Sequence, residues 1–287
     1  MKEIVVISGK GGTGKTSITA ALAYLASTEV VMADCDVDAA DLHLILKPEN
    51  QESEAFYSGE KATIDKDKCI ACGACVKVCR FAAIVAQTGY YEVESLDCEG
   101  CGYCSQVCPT EAISLSEQKV GSCYLAQSRL GCKLVHAELG IGADNSGKLV
   151  AKVKRDAKRI AAETGKQYVL VDGSPGIGCP VISSLSGASY VVLVTEPSLS
   201  GWEDLQRVWE LATKFRIPCG CVINKASINP EITMEIENFL HDKGIEYLGN
   251  IPYDEDFPAA ITTGLCLVEL NNVKWEPRFR KIWNKLK

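Results

Sequence analysis

The sequence predicts an α/β protein, with a doubly wound and mainly parallel sheet that is interrupted by a small α+β insertion. Short apolar segments of the kind buried in parallel sheets alternate along the chain with longer segments of helical periodicity. The alternation stops between residues 61 and 116, where eight of the fifteen cysteines lie. We therefore expect residues 1–60 and 117–287 to form one domain and residues 61–116 to form a second domain inserted into it.

Composition narrows the class of protein. The chain has 287 residues, of which 47% are hydrophobic, enough for one large or two smaller cores. Its net charge of −7 argues against a general nucleic-acid-binding surface. No apolar run approaches the roughly 18 residues that span a bilayer, and the first residues do not resemble a signal peptide. We expect a soluble cytoplasmic protein with neither a nucleic acid partner nor membrane association.

The first apolar segment leads into a candidate phosphate-binding loop. Residues 4–8 form a predicted strand, residues 9–16 read G-K-G-G-T-G-K-T, and residues 17–26 have helical character. This G-x4-G-K-T motif between a strand and a helix is typical of a P-loop rather than of a glycine-rich turn without a ligand, because its backbone N–H groups attract phosphate. Lys15 would then reach the β- and γ-phosphates, and Thr16 would bind Mg²⁺. The predicted nucleotide-binding residues here are Gly9, Lys10, Gly11, Gly12, Thr13, Gly14, Lys15, Thr16 and Ser17.

Two copies of one cysteine pattern lie in the insertion, and each reads C-x2-C-x2-C-x3-C. The spacing is typical of two [4Fe–4S] clusters, in which the fourth cysteine of each run binds the other cluster. Structural zinc is the alternative, since zinc also binds C-x2-C pairs, but two complete runs favour iron. The predicted ligands are Cys69, Cys72, Cys75 and Cys108 for one cluster, and Cys98, Cys101, Cys104 and Cys79 for the other.

From residue 64 to residue 115 these motifs resemble the bacterial two-cluster ferredoxins. The resemblance implies a small α+β domain that carries electrons. Arg80 stands where the family pattern often has proline, just outside the ligand set, so it alters the surroundings of a cluster without removing a ligand.

The P-loop itself, K-G-G-T-G-K-T from Lys10 to Thr16, resembles the deviant Walker A motif of the MinD/ParA/Mrp superfamily, which includes the nitrogenase iron protein. The resemblance implies an ATPase that dimerises when it binds ATP, with Lys10 reaching across the interface to the partner's nucleotide. Asp36, in the D-C-D segment that begins at the last residue of the strand Val30–Asp34, matches the switch I aspartate that positions the attacking water. The expected catalytic residues are Lys10, Lys15 and Asp36.

Later segments follow the order of the same superfamily. The apolar strand Tyr168–Asp172 ends in an acid, as in a Walker B motif, so the resemblance implies that Asp172 holds Mg²⁺ together with Thr16. Capping of a helix is the ordinary alternative for such an aspartate, but it does not explain the G-S-P-G-I-G segment that follows, which resembles switch II. Asn224 matches the asparagine that recognises the base, and Pro252 lies in an I-P-x-D loop near the adenine.

Several further residues allow two interpretations. Cys179 has the spacing from Asp172 of a cluster ligand at the dimer interface of the nitrogenase iron protein. However, Ala143 occupies the place of the second ligand, and the sequence does not place Cys132, so we favour a Cys179 packed under the switch. We interpret the remaining cysteines as core residues and the histidines as surface or packing residues: Cys35, Cys123, Cys219, Cys221, Cys266, His43, His136 and His241.

The end of the chain has the pattern of a basic amphipathic helix. Membranes bind such helices, but the closing helices of globular domains look the same, and we favour packing on the sheet. Its apolar face consists of Trp275, Phe279, Ile282, Trp283 and Leu286.

Taken together, these patterns predict an ATPase with two [4Fe–4S] clusters, ATP and Mg²⁺ as cofactors. We expect it to couple its nucleotide state to electron transfer or to the reductive activation of a partner metalloprotein, as a homodimer or as a heterodimer with a related chain. The alternatives are an ATPase that assembles or carries iron–sulfur or metal centres, and a MinD/ParA-like positioning ATPase. A ferredoxin with an inactive ATP site is disfavoured because the residues of that site are present.

Overall fold

The computed structural model describes residues 1–140 and 145–287. The chain forms two compact units. The first unit comprises Met1–Glu54, Ser122–Leu139 and Ser146–Lys287, and the second comprises Ala55–Gly121 and Gly140–Asn145, of which residues 141–144 lie outside the described ranges. Among the described residues, no helix combines the length and the apolar character needed to cross a bilayer.

Strands and helices alternate along most of the chain, across both units. The strands are β1 (Lys2–Ser8), β2 (Val30–Asp34), β3 (Glu49–Ile64), β4 (Ile84–Ala86), β5 (Tyr91–Val93), β6 (Ile113–Gln127), β7 (Lys133–Leu139), β8 (Tyr168–Asp172), β9 (Tyr190–Thr195), β10 (Cys219–Ile223) and β11 (Glu246–Asn250). The helices are α1 (Lys15–Ala26), α2 (Leu42–Leu46), α3 (Ala74–Val78), α4 (Tyr103–Gln106), α5 (Ser146–Glu163), α6 (Cys179–Leu185), α7 (Leu199–Lys214), α8 (Pro230–Asp242), α9 (Asp256–Thr263), α10 (Leu267–Leu270) and α11 (Asn272–Leu286).

The large sheet has the strand order β11-β10-β9-β1-β8-β2-β7, continued by β6 and β3. Strand β1 pairs in parallel with β8 and β9, β2 pairs in parallel with β7 and β8, and β10 pairs in parallel with β9 and β11. From Glu3 to Ser8, β1 is buried on both of its faces, as expected when helices cover a parallel sheet on both sides. The predicted α/β class with a mainly parallel sheet is confirmed.

The closing helix α11 packs into the core of the first unit. Its five apolar side chains are at most 1% exposed and join the cluster that also contains residues of α1 and β8. Trp283 meets Tyr168 edge to face, with ring centroids 5.1 Å apart. Each such burial stabilises the fold by roughly 1.5–3 kcal/mol. The interpretation of this helix as a packing element is therefore confirmed.

The second unit has an internal repeat in its backbone. Residues with positive φ recur 29 positions apart: Ala71 (53°) and Gly100 (64°), Gly73 (72°) and Gly102 (73°), Ala82 (54°) and Glu111 (52°). Each repeat contains one short helix, α3 or α4, which begins directly after the second of these positions. The two cysteine runs therefore share one backbone course, with tight left-handed turns between the cysteines.

Candidate functional site

A cavity of about 700 Å³ lies in the first unit beyond the carboxyl ends of its parallel strands. It is lined by residues 11–17 of the P-loop, by Asp36 and Ser174 after β2 and β8, and by Asn224 after β10. Tyr253 and Phe257 line it as well. Ligands of open α/β sheets bind at this edge, so the position agrees with a nucleotide site.

The P-loop takes its shape from glycines at the start of α1. Gly12 and Gly14 have φ values of 77° and 88°, in the left-handed region that favours glycine. A Cβ atom at Gly11 or Gly12 would meet no atom within 4 Å, whereas one at Gly14 would lie 2.3 Å from the side-chain nitrogen of Asn224. The loop is therefore open on the cavity side and closely packed behind. The helix begins at Lys15, two residues earlier than the sequence suggested.

Lys15, Thr16, Asp36 and Asp172 form a charged cluster on the floor of the cavity. The Lys15 Nζ atom lies 2.9 Å from Asp172 Oδ1 and 3.4 Å from Asp36 Oδ2. The Thr16 hydroxyl donates to Asp172 Oδ2 over 2.7 Å. Burial lowers the pKa of Lys15, but the charges of Asp172 and Asp36 outweigh it, so this pKa is raised and the ammonium form is stabilised. Burial also raises the pKa of Asp36, against the opposing charge of Lys15.

Asp34 is a further acid that sequence reasoning did not single out. Its side chain is fully buried at the end of β2, where its carboxylate accepts the backbone N–H groups of Asp36 and Leu42 over 3.1 and 3.3 Å. Burial, and then the charge of Asp172, raise the pKa of Asp34 well above its usual range. Asp34 thus shapes the turn that presents Asp36 to the cavity.

The ammonium group of Lys10 binds side chains of its own chain. Its Nζ atom lies 2.7 Å from Glu196 Oε1 and donates to the hydroxyls of Ser200 and Ser198 over 2.8 and 3.1 Å. Lys225 bonds the other Glu196 oxygen over 2.6 Å. Burial raises the pKa of Glu196, but the hydrogen bonds from the two lysines outweigh it, so this pKa is lowered. Glu196 follows β9 directly, and an acid directly after a buried strand is the signal that could have found it.

Asn224 and Pro252 have different surroundings. The Asn224 side chain is fully buried, donates to the backbone oxygen of Thr13 over 2.7 Å and accepts the N–H of Lys225 over 2.9 Å. It therefore joins the end of β10 to the P-loop. Pro252 lines a neighbouring cavity with Ala226, whereas the next residue, Tyr253, lines the P-loop cavity.

The second unit contains two small cavities, and four cysteines line each of them. The first is lined by Cys69, Cys72, Cys75 and Cys108, and the second by Cys79, Cys98, Cys101 and Cys104. Burial raises the pKa of the Cys75 and Cys104 thiols. In the described part of the chain, no three side chains of His, Cys, Asp or Glu are grouped so as to hold a metal ion.

The other cysteines and histidines give one correction. Cys179 is exposed, so the prediction that it packs under the switch is wrong. In α6 the buried residues are Val181, Ser184 and Leu185, and Cys179 lies about 200° around the helix from Val181. Ala143, expected to replace a second ligand, lies outside the described residues. Cys132 is buried, and its sulfur lies 3.0 Å from the Ser128 hydroxyl.

Most of the other cysteines that the sequence assigned to the core are buried. Cys35, Cys123, Cys221 and Cys266 are buried, and Cys219 is half-buried. His136 is 2% exposed and stacks on Tyr124 and His43, with ring centroids 4.9 and 6.1 Å apart. It is therefore a packing residue, as the sequence suggested. His241 is exposed.

Comparison with known proteins agrees with this geometry. An uncharacterized protein of Methanocaldococcus jannaschii is 34% identical over 287 residues, with 99% of this chain and 96% of that protein covered. The fold is similar to the septum site-determining protein MinD of Pyrococcus horikoshii in complex with Mg-ADP (TM-score 0.60, 19% identity, 100% and 96% of the two chains covered). It is also similar to a chain of the MinC:MinD cell division protein complex of Aquifex aeolicus (TM-score 0.59, 19% identity, 100% and 95% covered). The model of the CobQ/CobB/MinD/ParA nucleotide binding domain matches residues 4–268, and the chain therefore belongs to this family.

Proposed function

We propose that this chain is a dimerising ATPase of the MinD/ParA type whose nucleotide state controls a partner protein, and that its second unit holds two [4Fe–4S] clusters. The charged cluster on the floor of the large cavity carries the first part of the proposal. It places one ammonium, one hydroxyl and two carboxylates at the end of an open P-loop, which is the set of groups that MgATP hydrolysis requires.

Each member of the cluster has a distinct task. Lys15 now binds two carboxylates, and β- and γ-phosphate oxygens would replace them as its partners. Thr16 and Asp172 are already within hydrogen-bond distance, so their oxygens could bind one Mg²⁺ together, either directly or through water. Asp36 lines the same cavity and would orient the attacking water, since positioning is the main contribution of the protein to phosphoryl transfer.

Lys10 supports the dimer part of the proposal. It does not line the cavity of its own chain, and Glu196 holds its ammonium group. The proposed role of Lys10 is to leave Glu196 on dimerisation and to reach the nucleotide of the partner subunit, where a cation stabilises the charge that develops in the transition state.

The cysteine thiols of the second unit support the cluster part of the proposal. Each cavity brings together four thiols from both cysteine runs, and each of these sets is the one that crossed ligation of two [4Fe–4S] clusters requires. When bound, such clusters would supply one-electron transfer. Neither solved structure compared above is described as an iron–sulfur protein, so the cluster proposal rests on the cysteines alone. The boundaries 61–116 of a ferredoxin-like domain are part of the same proposal.

The comparisons favour a second candidate, a positioning ATPase, more directly than a redox function. The solved structures of similar fold include a septum site-determining protein and a cell division complex. These likenesses, at 19% identity, are likenesses of fold. A positioning role also leaves the two cavities lined by cysteines unexplained. Iron and acid-labile sulfide in the anaerobically purified chain distinguish the candidates: about eight of each per chain support the clusters. Their absence leaves the positioning ATPase, and stoichiometric zinc argues for structural metal.

Two lysine variants test the ATPase. Lys15→Ala should abolish tight ATP binding, because Lys15 is the cation of the charged cluster, whereas Lys225, the other lysine that lines the cavity among the described residues, is bound to Glu196. Lys10→Ala should keep ATP binding but lose most hydrolysis and ATP-dependent dimerisation. Binding is measured by equilibrium dialysis, hydrolysis by phosphate release and dimerisation by sedimentation. An equal loss of ATP binding in both variants would show that Lys10 binds phosphate within its own chain.

A further inference from the structure

The internal repeat of the second unit is not symmetric around its fourth cysteines. Cys108 and Cys79 occupy equivalent positions, 29 residues apart. The Cys108 sulfur accepts the backbone N–H of Ala112 over 3.3 Å and lies 3.7 Å from the Thr110 hydroxyl. Within the described residues, no hydrogen bond reaches the sulfur of Cys79. The residue equivalent to Thr110 is Phe81, which has no group to donate.

The remaining polar groups near the two cavities do not offset the difference between the sulfurs of Cys108 and Cys79. Backbone N–H groups face the sulfurs of Cys75 and Cys104 in both repeats alike, so they do not distinguish the cavities. The second cavity is lined by Glu99, and the Lys61 ammonium donates to the backbone oxygen of Cys98 in the same segment, over 2.5 Å. The two side chains carry charges of opposite sign, so together they add no net charge to this segment. No Asp, Glu, Lys or Arg is among the described residues that line the first cavity.

Hydrogen bonds to a ligand sulfur withdraw negative charge from it and favour the reduced form of an iron–sulfur cluster. We infer that Thr110 sets a difference between the two cavities, so that the cluster held by Cys69, Cys72, Cys75 and Cys108 has the higher reduction potential. The inference rests on the proposed clusters and adds a direction to their function. An electron taken up by the second unit would reside at the cluster of the first cavity. Thr110 is a tuning residue, and Phe81 is its apolar counterpart.

The test is a potentiometric titration with dithionite and redox mediators, followed by electron paramagnetic resonance on the anaerobic full-length protein. The wild-type chain should show two midpoint potentials. Thr110→Val removes the hydroxyl at nearly constant volume, so the higher potential should fall while the lower one stays. Thr110→Ser keeps the hydroxyl and should retain the wild-type value. Phe81→Thr should raise the lower potential, and it carries the test if Thr110→Val loses its cluster.

The iron content and the two potentials distinguish failure of the Thr110 assignment from failure of the proposed clusters. A shift of the lower potential in Thr110→Val, or no shift in either variant while eight irons per chain are present, overturns the inference and leaves the proposed clusters standing. An iron content near zero overturns the proposed clusters themselves.

Discussion

Acidification should destabilise the first unit through His136. This imidazole is 2% exposed, and neither of its ring nitrogens has a hydrogen-bond partner among the described residues. The groups that face it are Tyr124 of β6, whose hydroxyl contacts Glu138, and His43 of α2. Burial, and then the charge of His43, lower the pKa of His136 to about 4. The neutral imidazole is therefore the form that the fold accommodates.

The sign and size of the effect follow from linkage between protonation and folding. In the unfolded chain a histidine has a pKa near 6.5, so below that pH the unfolded state binds a proton that the folded state does not bind. Stability is therefore fully present above about pH 6.5 and is lost as the pH falls toward 4. A shift from 6.5 to about 4 corresponds to a loss of about 3 kcal/mol over the whole window.

The assay is urea unfolding followed by tryptophan emission between pH 8 and pH 4.5, with wild type and His136→Phe compared at each pH. All four tryptophans lie in the first unit, so their emission reports on it. Because carboxylates titrate in both proteins, the difference between the two isolates His136. The phenylalanine variant should lose roughly 2–3 kcal/mol less than wild type on acidification to pH 4.5. Parallel pH profiles would show that His136 protonates in the fold without cost and would refute this reasoning.

Three further predictions concern the two units separately. Asp36→Asn should bind ATP but hydrolyse it on the order of 10²-fold more slowly, since the amide keeps the shape without the carboxylate; normal phosphate release would remove Asp36 from the mechanism. Lys225→Met should weaken ATP binding about tenfold, because Lys225 donates to the backbone oxygen of Gly12 over 2.9 Å in the P-loop. The control is Lys214→Met at the end of α7, for which equilibrium dialysis should show unchanged ATP affinity. Ala71→Gly should stabilise the first cysteine turn by about 0.5–1 kcal/mol, because the alanine has a φ of 53°, which glycine adopts without strain. Amide hydrogen exchange of that segment should become slower. The control Ala74→Gly, in α3, should make it faster.

The central strands of the sheet were predicted from the sequence with nearly their observed bounds. Strands β2 and β8 match because parallel strands buried on both faces are continuous apolar runs that end abruptly. Strands β3 and β6 were not predicted, because their many polar and exposed residues resemble loop sequence. The edge strand β11 was not predicted either, because Leu248 is its one buried residue and no continuous apolar run marks it.

The phosphate-binding end of the site was predicted because its residues are adjacent in sequence, whereas the contacts between distant segments were not. The pairing of Lys10 with Glu196 joins residues far apart in the chain, and it depends on which strand neighbours β1 in the sheet. The exposure of Cys179 depends on the rotation of one short helix about its axis. Local motifs specify the chemistry of such a site, and the order of the strands decides which charges meet.

The connections between β2 and β8 bear on how a nucleotide could be sensed. The N–H of Cys35 donates to the backbone oxygen of Asp172 over 2.8 Å, and the Ser174 hydroxyl donates to the backbone oxygen of Cys35 over 2.7 Å. Cys35, which lies between Asp34 and Asp36, is thus bound through both its N–H and its carbonyl oxygen to the segment that begins at Asp172. A displacement of Asp36 would strain these bonds, so the segments that follow β2 and β8 would move together. In this arrangement a phosphate that draws Lys15 away from Asp36 and Asp172 acts on both segments at once, because the same ammonium group holds both carboxylates.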